Sequence, residues 1–351
     1  MADNSTAGNI VVSLVDESGV KGFGEGIPRW YVTGESTETS LGFLRETLLP
    51  ALLGREVDPE GLWSFLQEVI PEEQADLCPA AFCAVETALL DLGGRLLDRG
   101  LIDYCGGSTG KELLYSGVLP FSSPDAAPRL LSLIKTLGFS EVKIKVGGDR
   151  DEEMAALARD MLGPKVRLRL DANGAWTPKQ AVEMIDRLGA FGVDAVEQPV
   201  PKTDFAGLAY VTQRVQPCVI ADESLCTRAD ALRLIKEKAV GGFNLRLSKC
   251  GGFFRTSRLY RLAREEGLTC MLGSQVGELG FLSAAGRHFA AGPHDLTYLE
   301  GCYAKFILGR DLVAEDLTFG PGGQASPLEG PGLGVQALEP VFEDCLLFSL
   351  S

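Results

Sequence analysis

Val142-Lys-Ile-Lys145, Val166-Arg-Leu-Arg-Leu-Asp171, Val193-Asp-Ala-Val-Glu197, Cys218-Val-Ile-Ala-Asp222 and Phe243-Asn-Leu-Arg-Leu-Ser-Lys249 decide the fold. Each is a short run rich in aliphatic residues that ends on a charge. The ends are 26, 26, 25 and 27 residues apart. One strand, a loop and a crossover helix need about that length. In a parallel (β/α) barrel the C-terminal strand ends meet at one mouth, where active sites lie. Two amines would then flank three carboxylates.

The same step extends both ways. Tyr115-Ser-Gly-Val-Leu119 precedes the series, and Thr269-Cys-Met-Leu-Gly-Ser274 and Leu296-Thr-Tyr-Leu-Glu300 follow it. Strand ends near residues 117, 145, 171, 197, 222, 249, 274 and 300 make eight. Ala126 to Leu137 reads as the first barrel helix, closed by Gly138. The expected fold is α/β: a (β/α) TIM-type barrel over 113–324, with an α+β capping domain over 1–112 completed by the returning tail 325–351.

In the capping part, Asn9–Val15 and Val20–Glu25 form a hairpin about Glu17-Ser-Gly19, and Pro28–Glu35 is an irregular loop. Ser36 caps a helix to about Leu52, Asp58 or Pro59 starts another, and Pro79–Leu97 is a long helix. In the Gly- and Pro-rich tail, Val341–Leu347 reads as a last strand.

Composition narrows the function. A net charge of −15 disfavours nucleic acid and anionic membrane as partners. No apolar run reaches the roughly 18 residues of a membrane helix. The first residues, Met1-Ala-Asp-Asn-Ser-Thr, lack the pattern of a signal peptide. Nine scattered cysteines without a C-x-x-C pair point to buried thiols and a cytoplasmic location. A homo-oligomer is compatible with all of this.

Asp171, Glu197 and Asp222 at consecutive equal steps suit a hard, oxygen-loving cation, Mg²⁺ with Mn²⁺ as an alternative. Lys143 and Lys145 share one strand face. Two lysines facing inward are tolerable beside a metal and an anionic substrate. Such a site takes a small-molecule carboxylate and removes the proton from the adjacent carbon, Lys145 and Lys249 serving as acid and base on opposite sides. A zinc hydrolase would want histidine ligands; His288 and His294 stand off the strand ends.

These phrases resemble the enolase superfamily, in its muconate-cycloisomerase branch. The matching residues are Lys143-Ile-Lys145, Asp171-Ala-Asn173, Val196-Glu197-Gln-Pro, Ala221-Asp222-Glu-Ser and Leu247-Ser-Lys249-Cys-Gly-Gly252; Gly22-Phe-Gly-Glu25 and Val32-Thr-Gly-Glu35 look like the branch's capping domain. The resemblance implies that Asp171, Glu197 and Asp222 hold the metal, that Lys145 and Lys249 form the acid/base pair, and that Lys143 assists. Superfamily sites of this kind use a Lys or His base with Mg²⁺. A His–Asp dyad, as in the mandelate-racemase branch, is not matched. The family's first strand and lid loop would precede Asn9, which implies either a misassigned start or a shortened lid. Asn173, Ser274, Glu278 and Glu300 are candidate substrate contacts, Glu300 as holder of an ammonium, and Pro28–Thr33 helps to shape the pocket. The leading expectation is a racemase or epimerase of an amino-acid derivative or dipeptide. A muconate-type cycloisomerase, an o-succinylbenzoate-synthase-like dehydratase and a catalytically impaired ligand-binding barrel are the alternatives.

Overall fold

The structure, a computed structural model, describes residues 8–121, 126–308, 311–341 and 345–350. It opens with an antiparallel hairpin, β1 (Ile10–Val15) and β2 (Lys21–Gly26). Asp16 sets the turn by accepting the Val20 backbone N–H at 2.8 Å, and Gly19 takes the positive φ of 86° that the reversal requires. On β2 glycine recurs at 22, 24 and 26, hence on one face. That face lies on Ala80, Ala84 and Ala88 of the long helix α1 (Pro79–Leu97). A Cβ at Gly24 would stand 2.0 Å from the Ala84 carbonyl oxygen, so strand and helix meet backbone to backbone.

Two segments between β2 and α1 differ from expectation. Pro28–Glu35 contains a one-turn helix, Trp30–Thr33, ended by Gly34 at φ 82°. The helix after Ser36 is not uniform: Thr37–Phe43 starts in a Ser36/Thr39 capping box, widens to a π-turn over Leu44–Leu48, and resumes at Leu49–Leu52. Pro50 has no N–H for the ordinary bond to residue 46, which accounts for the widening.

The barrel strands stand in sequence order in one parallel sheet: β3 (Gly117–Leu119), β4 (Glu141–Lys145), β5 (Arg167–Asp171), β6 (Val193–Glu197), β7 (Cys218–Ala221), β8 (Gly242–Leu245) and β9 (Thr269–Leu272). The eighth position is an extended segment rather than a full strand. The Leu272 N–H donates to Tyr298 O and the Glu300 N–H to Leu272 O; on the other side the Ser116 N–H donates to Leu299 O at 2.8 Å, closing the ring. Crossover helices follow the strands, from α2 (Ala127–Leu137), ended by Gly138 at φ 78°, to α3 (Asp151–Leu162), α4 (Pro178–Gly189), α5 (Phe205–Thr212), α6 (Arg228–Lys236), α7 (Phe253–Glu265) and α8 (Gly280–Ala291). Their apolar faces and the outward strand residues make one large core.

Glu86 of α1 reaches the barrel: its carboxylate accepts the N–H groups of Phe253 and Phe254 at the start of α7. Glu25 of β2 likewise accepts from Leu279 and Leu282 at the start of α8. Acids at helix N-termini meet unpaired donors there. The tail crosses back at Gly332, which bonds Arg99 and Leu101, and at Leu333, whose N–H donates to Asp91. Its expected last strand is corrected. Glu339–Val341 is a 3₁₀ turn, residues 342–344 lie outside the described residues, and 346–350 form no strand. Among the described residues no helix is long and apolar enough to cross a membrane, and Cys78, Cys83, Cys218, Cys226, Cys250, Cys270, Cys302 and Cys345 are free thiols.

Candidate active site

The register of the parallel sheet sets Lys145, Asp171 and Glu197 level with one another at the ends of β4, β5 and β6. Asp222 follows β7 directly. Below them, inward residues of β6, β7, β9 and the eighth segment make a small apolar floor of Ala195, Ile220, Met271 and Tyr298. Arg169 lies above that floor, 4.8 Å from the Tyr298 ring centre.

Lys143 and Lys145 share the inward face, as the alternation requires. The Lys145 ammonium donates to Asp171 Oδ2 and to Asn173 Oδ1, each at 2.7 Å. Asn173, at φ 44°, also donates to Glu223 at 3.0 Å. Lys143 is 3.2 Å from Asp171 Oδ2, 3.8 Å from Glu197 Oε2 and 2.6 Å from Glu300 Oε1. Burial opposes its charge, but Glu197, Glu300 and Asp171 outweigh burial and raise its pKa.

Lys249 is placed differently from expectation. β8 ends at Leu245, and Lys249 sits in the next helical turn, Leu247–Cys250, which Gly251 closes at φ 78°. Its side chain is 0 % exposed. The ammonium donates to Asp222 O (2.7 Å), Asp222 Oδ1 (3.0 Å) and Asn244 O (2.8 Å). An ammonium has three donors, and all are committed. Lys249 thus holds Asp222 from the turn after β8.

The cation facing inward at the end of β8 is Arg246. It donates to Asp222 Oδ2 in a very short contact, lies 3.4 Å from Glu197 Oε1, and donates to Gln275 Oε1 at 3.1 Å. The alternation signals it: from inward Asn244, which donates to Glu197 at 2.6 Å, the next inward position is Arg246. Lys249 lies beyond the strand, in the helical turn Leu247–Cys250, where the alternation no longer applies. Arg169, two residues before Asp171, was legible in the same way. Gln198 is a further missed residue: its Oε1 accepts the N–H groups of Asp222 and Ser224 and fixes the loop after β7.

Glu300 reaches the site but is not free for an ammonium. Lys143 and Arg169 hold it, at 2.6 and 2.5 Å. Burial would raise its pKa, yet these cations pull it down to about 2. Glu278 accepts the Gln275 N–H at 2.5 Å and is pushed up to about 8 by burial. Ser274 is half-buried beside Gly301. His288 lies far along α8, bonded to Leu333 O, and burial lowers it to about 4.

Three buried carboxylates from adjacent strands form an all-oxygen donor set suited to a hard dication. Glu197 is pushed up to about 7 by burial and then by Asp171, against the pull of Lys143 and Arg169. Among the described residues no three acidic, histidine or cysteine side chains converge tightly enough to hold an ion as they stand. Arg246 and the lysines stand between them. The donor chemistry fits; the spacing is set by the protein's own cations. Around four carboxylates the site gathers five cations, an excess that suits an anionic substrate.

Comparison with known proteins matches residues 126–341 to the enolase C-terminal domain-like family, and residues 1–106 to the mandelate racemase / muconate lactonizing enzyme N-terminal domain. A hydrophobic dipeptide epimerase of Enterococcus faecalis is 33 % identical over 337 residues, 94 % of this chain and 92 % of that protein. The crystal structure of the N-succinyl Arg/Lys racemase of Bacillus cereus superimposes with a TM-score of 0.87 at 27 % identity, covering 97 % of this chain and 90 % of that one. The dipeptide epimerase of E. faecalis V583, complexed with Mg and the dipeptide L-Leu-L-Tyr, gives 0.83 at 31 % identity, over 93 % and 91 %.

Proposed function

Because this chain belongs to the mandelate racemase / muconate lactonizing enzyme family of the enolase superfamily, we propose that it is an isomerase that removes the proton α to a substrate carboxylate. The observation that carries this reading is the exposure of Lys145. Its side chain is 23 % exposed, against 5 % for Lys143, 1 % for Arg169, 9 % for Arg246 and 0 % for Lys249. Among the ring's cations it is the one a substrate can best reach.

Asp171, Glu197 and Asp222 would hold Mg²⁺, or Mn²⁺. When bound, the ion supplies positive charge to the substrate carboxylate. The Lys145 amine takes the α-proton; the C–H bond breaks and its electron pair moves towards the carboxylate. Lys143 keeps positive charge beside this step. The buried floor and walls keep water from the carbanionic carbon. The relatives' activities support a racemase or epimerase of an amino-acid derivative or dipeptide. The sealing of Lys249 favours a second reading, a one-face reaction such as cycloisomerisation or elimination.

Proton NMR in D₂O with Mg²⁺ tests both. Dipeptides and N-succinylamino acids that exchange the α-proton from either enantiomer support racemisation. Exchange from one enantiomer alone supports the one-face reading, and no exchange with any carboxylate rejects both.

A further inference from the structure

The guanidinium of Arg246 lies among the acids. It bridges Asp222 Oδ2 and Glu197 Oε1, two of the three proposed metal carboxylates, and its Nη1 reaches Gln275. Its Nε–H is buried without an acceptor among the described residues, an expensive state for a charged donor. β8 is the sixth strand of the ring and β4 the second, so in a ring of eight Arg246 stands across from Lys145. Positive charge fixed between Glu197 and Asp222 repels any second cation that approaches them.

We infer that Arg246 is a displaceable counter-ion that makes metal and substrate binding cooperative. A divalent ion that binds Glu197 and Asp222 evicts the Nη2 group. The guanidinium stays tethered by β8 and Gln275 and turns its freed N–H groups, with Nε–H, to an anionic oxygen of the substrate. The planar fork of arginine matches a carboxylate. Substrate then holds Arg246 away from the acids, so each ligand strengthens the binding of the other by the same factor. Lys249 cannot take this part, since its three donors are spent on fixed acceptors. The inference rests on the metal reading above.

The test is calorimetric titration of Mg²⁺ alone into the full-length protein stripped with a chelator, for wild type, Arg246→Met and Arg246→Lys. Without the competing charge, Arg246→Met binds Mg²⁺ about ten-fold tighter than wild type, with Arg246→Lys nearer to wild type. Its KM for the exchanging substrate rises by about 100-fold, from loss of the carboxylate contact. Unchanged or weaker Mg²⁺ binding in Arg246→Met overturns the inference. If that variant does not fold, Arg246→Gln gives the same readout. Absence of Mg²⁺ binding in wild type and variants alike removes the metal reading, and the inference falls with it.

Discussion

Lys145 and Asp171 are direct partners across β4 and β5, and the lysine spends one donor on that carboxylate at 2.7 Å. Asn173 takes a second donor. The amine is thus aimed by two fixed acceptors while its tip keeps access to the mouth. Lys145→Met should abolish α-proton exchange, by about 10³-fold or more, with little change in the urea midpoint. An unaltered exchange rate in the NMR assay would remove Lys145 from the mechanism.

Lys249→Met should behave in the opposite way. The substitution leaves the Asp222 carboxylate without one buried partner and strands two carbonyl oxygens. Breaking a buried pair from one side typically costs about 3–5 kcal/mol. The expected result is a marked fall in the urea midpoint. A stable, fully folded Lys249→Met protein that lacks activity would instead restore Lys249 as an acid/base group.

Glu86 makes stability fall as pH rises. Burial lifts its pKa from 4.5 to about 8. Between those values the folded chain keeps a proton that the unfolded chain releases. Stability contributed by protonated Glu86 is therefore full below about pH 4.5 and is lost as pH passes through 8, by up to about 1.4 kcal/mol per pH unit. Glu86→Gln should gain on wild type steadily between pH 5 and 8 in urea titrations. A constant difference across that range would refute the assignment.

Gly24→Val should destabilise the hairpin–helix contact by several kcal/mol, on the order of 3 or more. A Cβ there collides with the Ala84 carbonyl at 2.0 Å, and neither backbone has a flexible end to move. The check is thermal unfolding; Gly42→Ala, where nothing lies within 4 Å, is the matched control.

The barrel was legible because its signal is periodic. Equal steps between charged strand ends need no knowledge of packing, and they located Asp171, Glu197 and Asp222 on three neighbouring strands. The end of β8 was misread because Phe243-Asn-Leu-Arg-Leu-Ser-Lys249 continues to alternate past the strand, while the chain turns helical at Leu247. The turn is set by Gly251, whose φ of 78° a pattern of side chains does not announce. The eighth segment is held by backbone bonds to Cys270 and Leu272 on one side and from Ser116 on the other, too few for a regular strand. Which carboxylate is free and which is spent, as at Glu300, depends on contacts between residues as far apart as Lys143 and Glu300. No local spacing encodes that.

The segment after the glycine-striped strand is sewn to the barrel's loops at separate points. Ser248 bonds both the N–H and the carbonyl of Ile27, and Lys202 donates to the carbonyls of Tyr31 and Val32. Arg29 reaches the Val276 carbonyl, while Trp30 remains 73 % exposed. The proposed reacting groups are mounted on strand ends, and this awning is stitched on from another part of the chain. On the proposed mechanism, exchanging Trp30 or Tyr31 should retune which molecules are admitted while Lys145 and the three carboxylates keep their alignment. A selection experiment for new substrates has its natural starting library there.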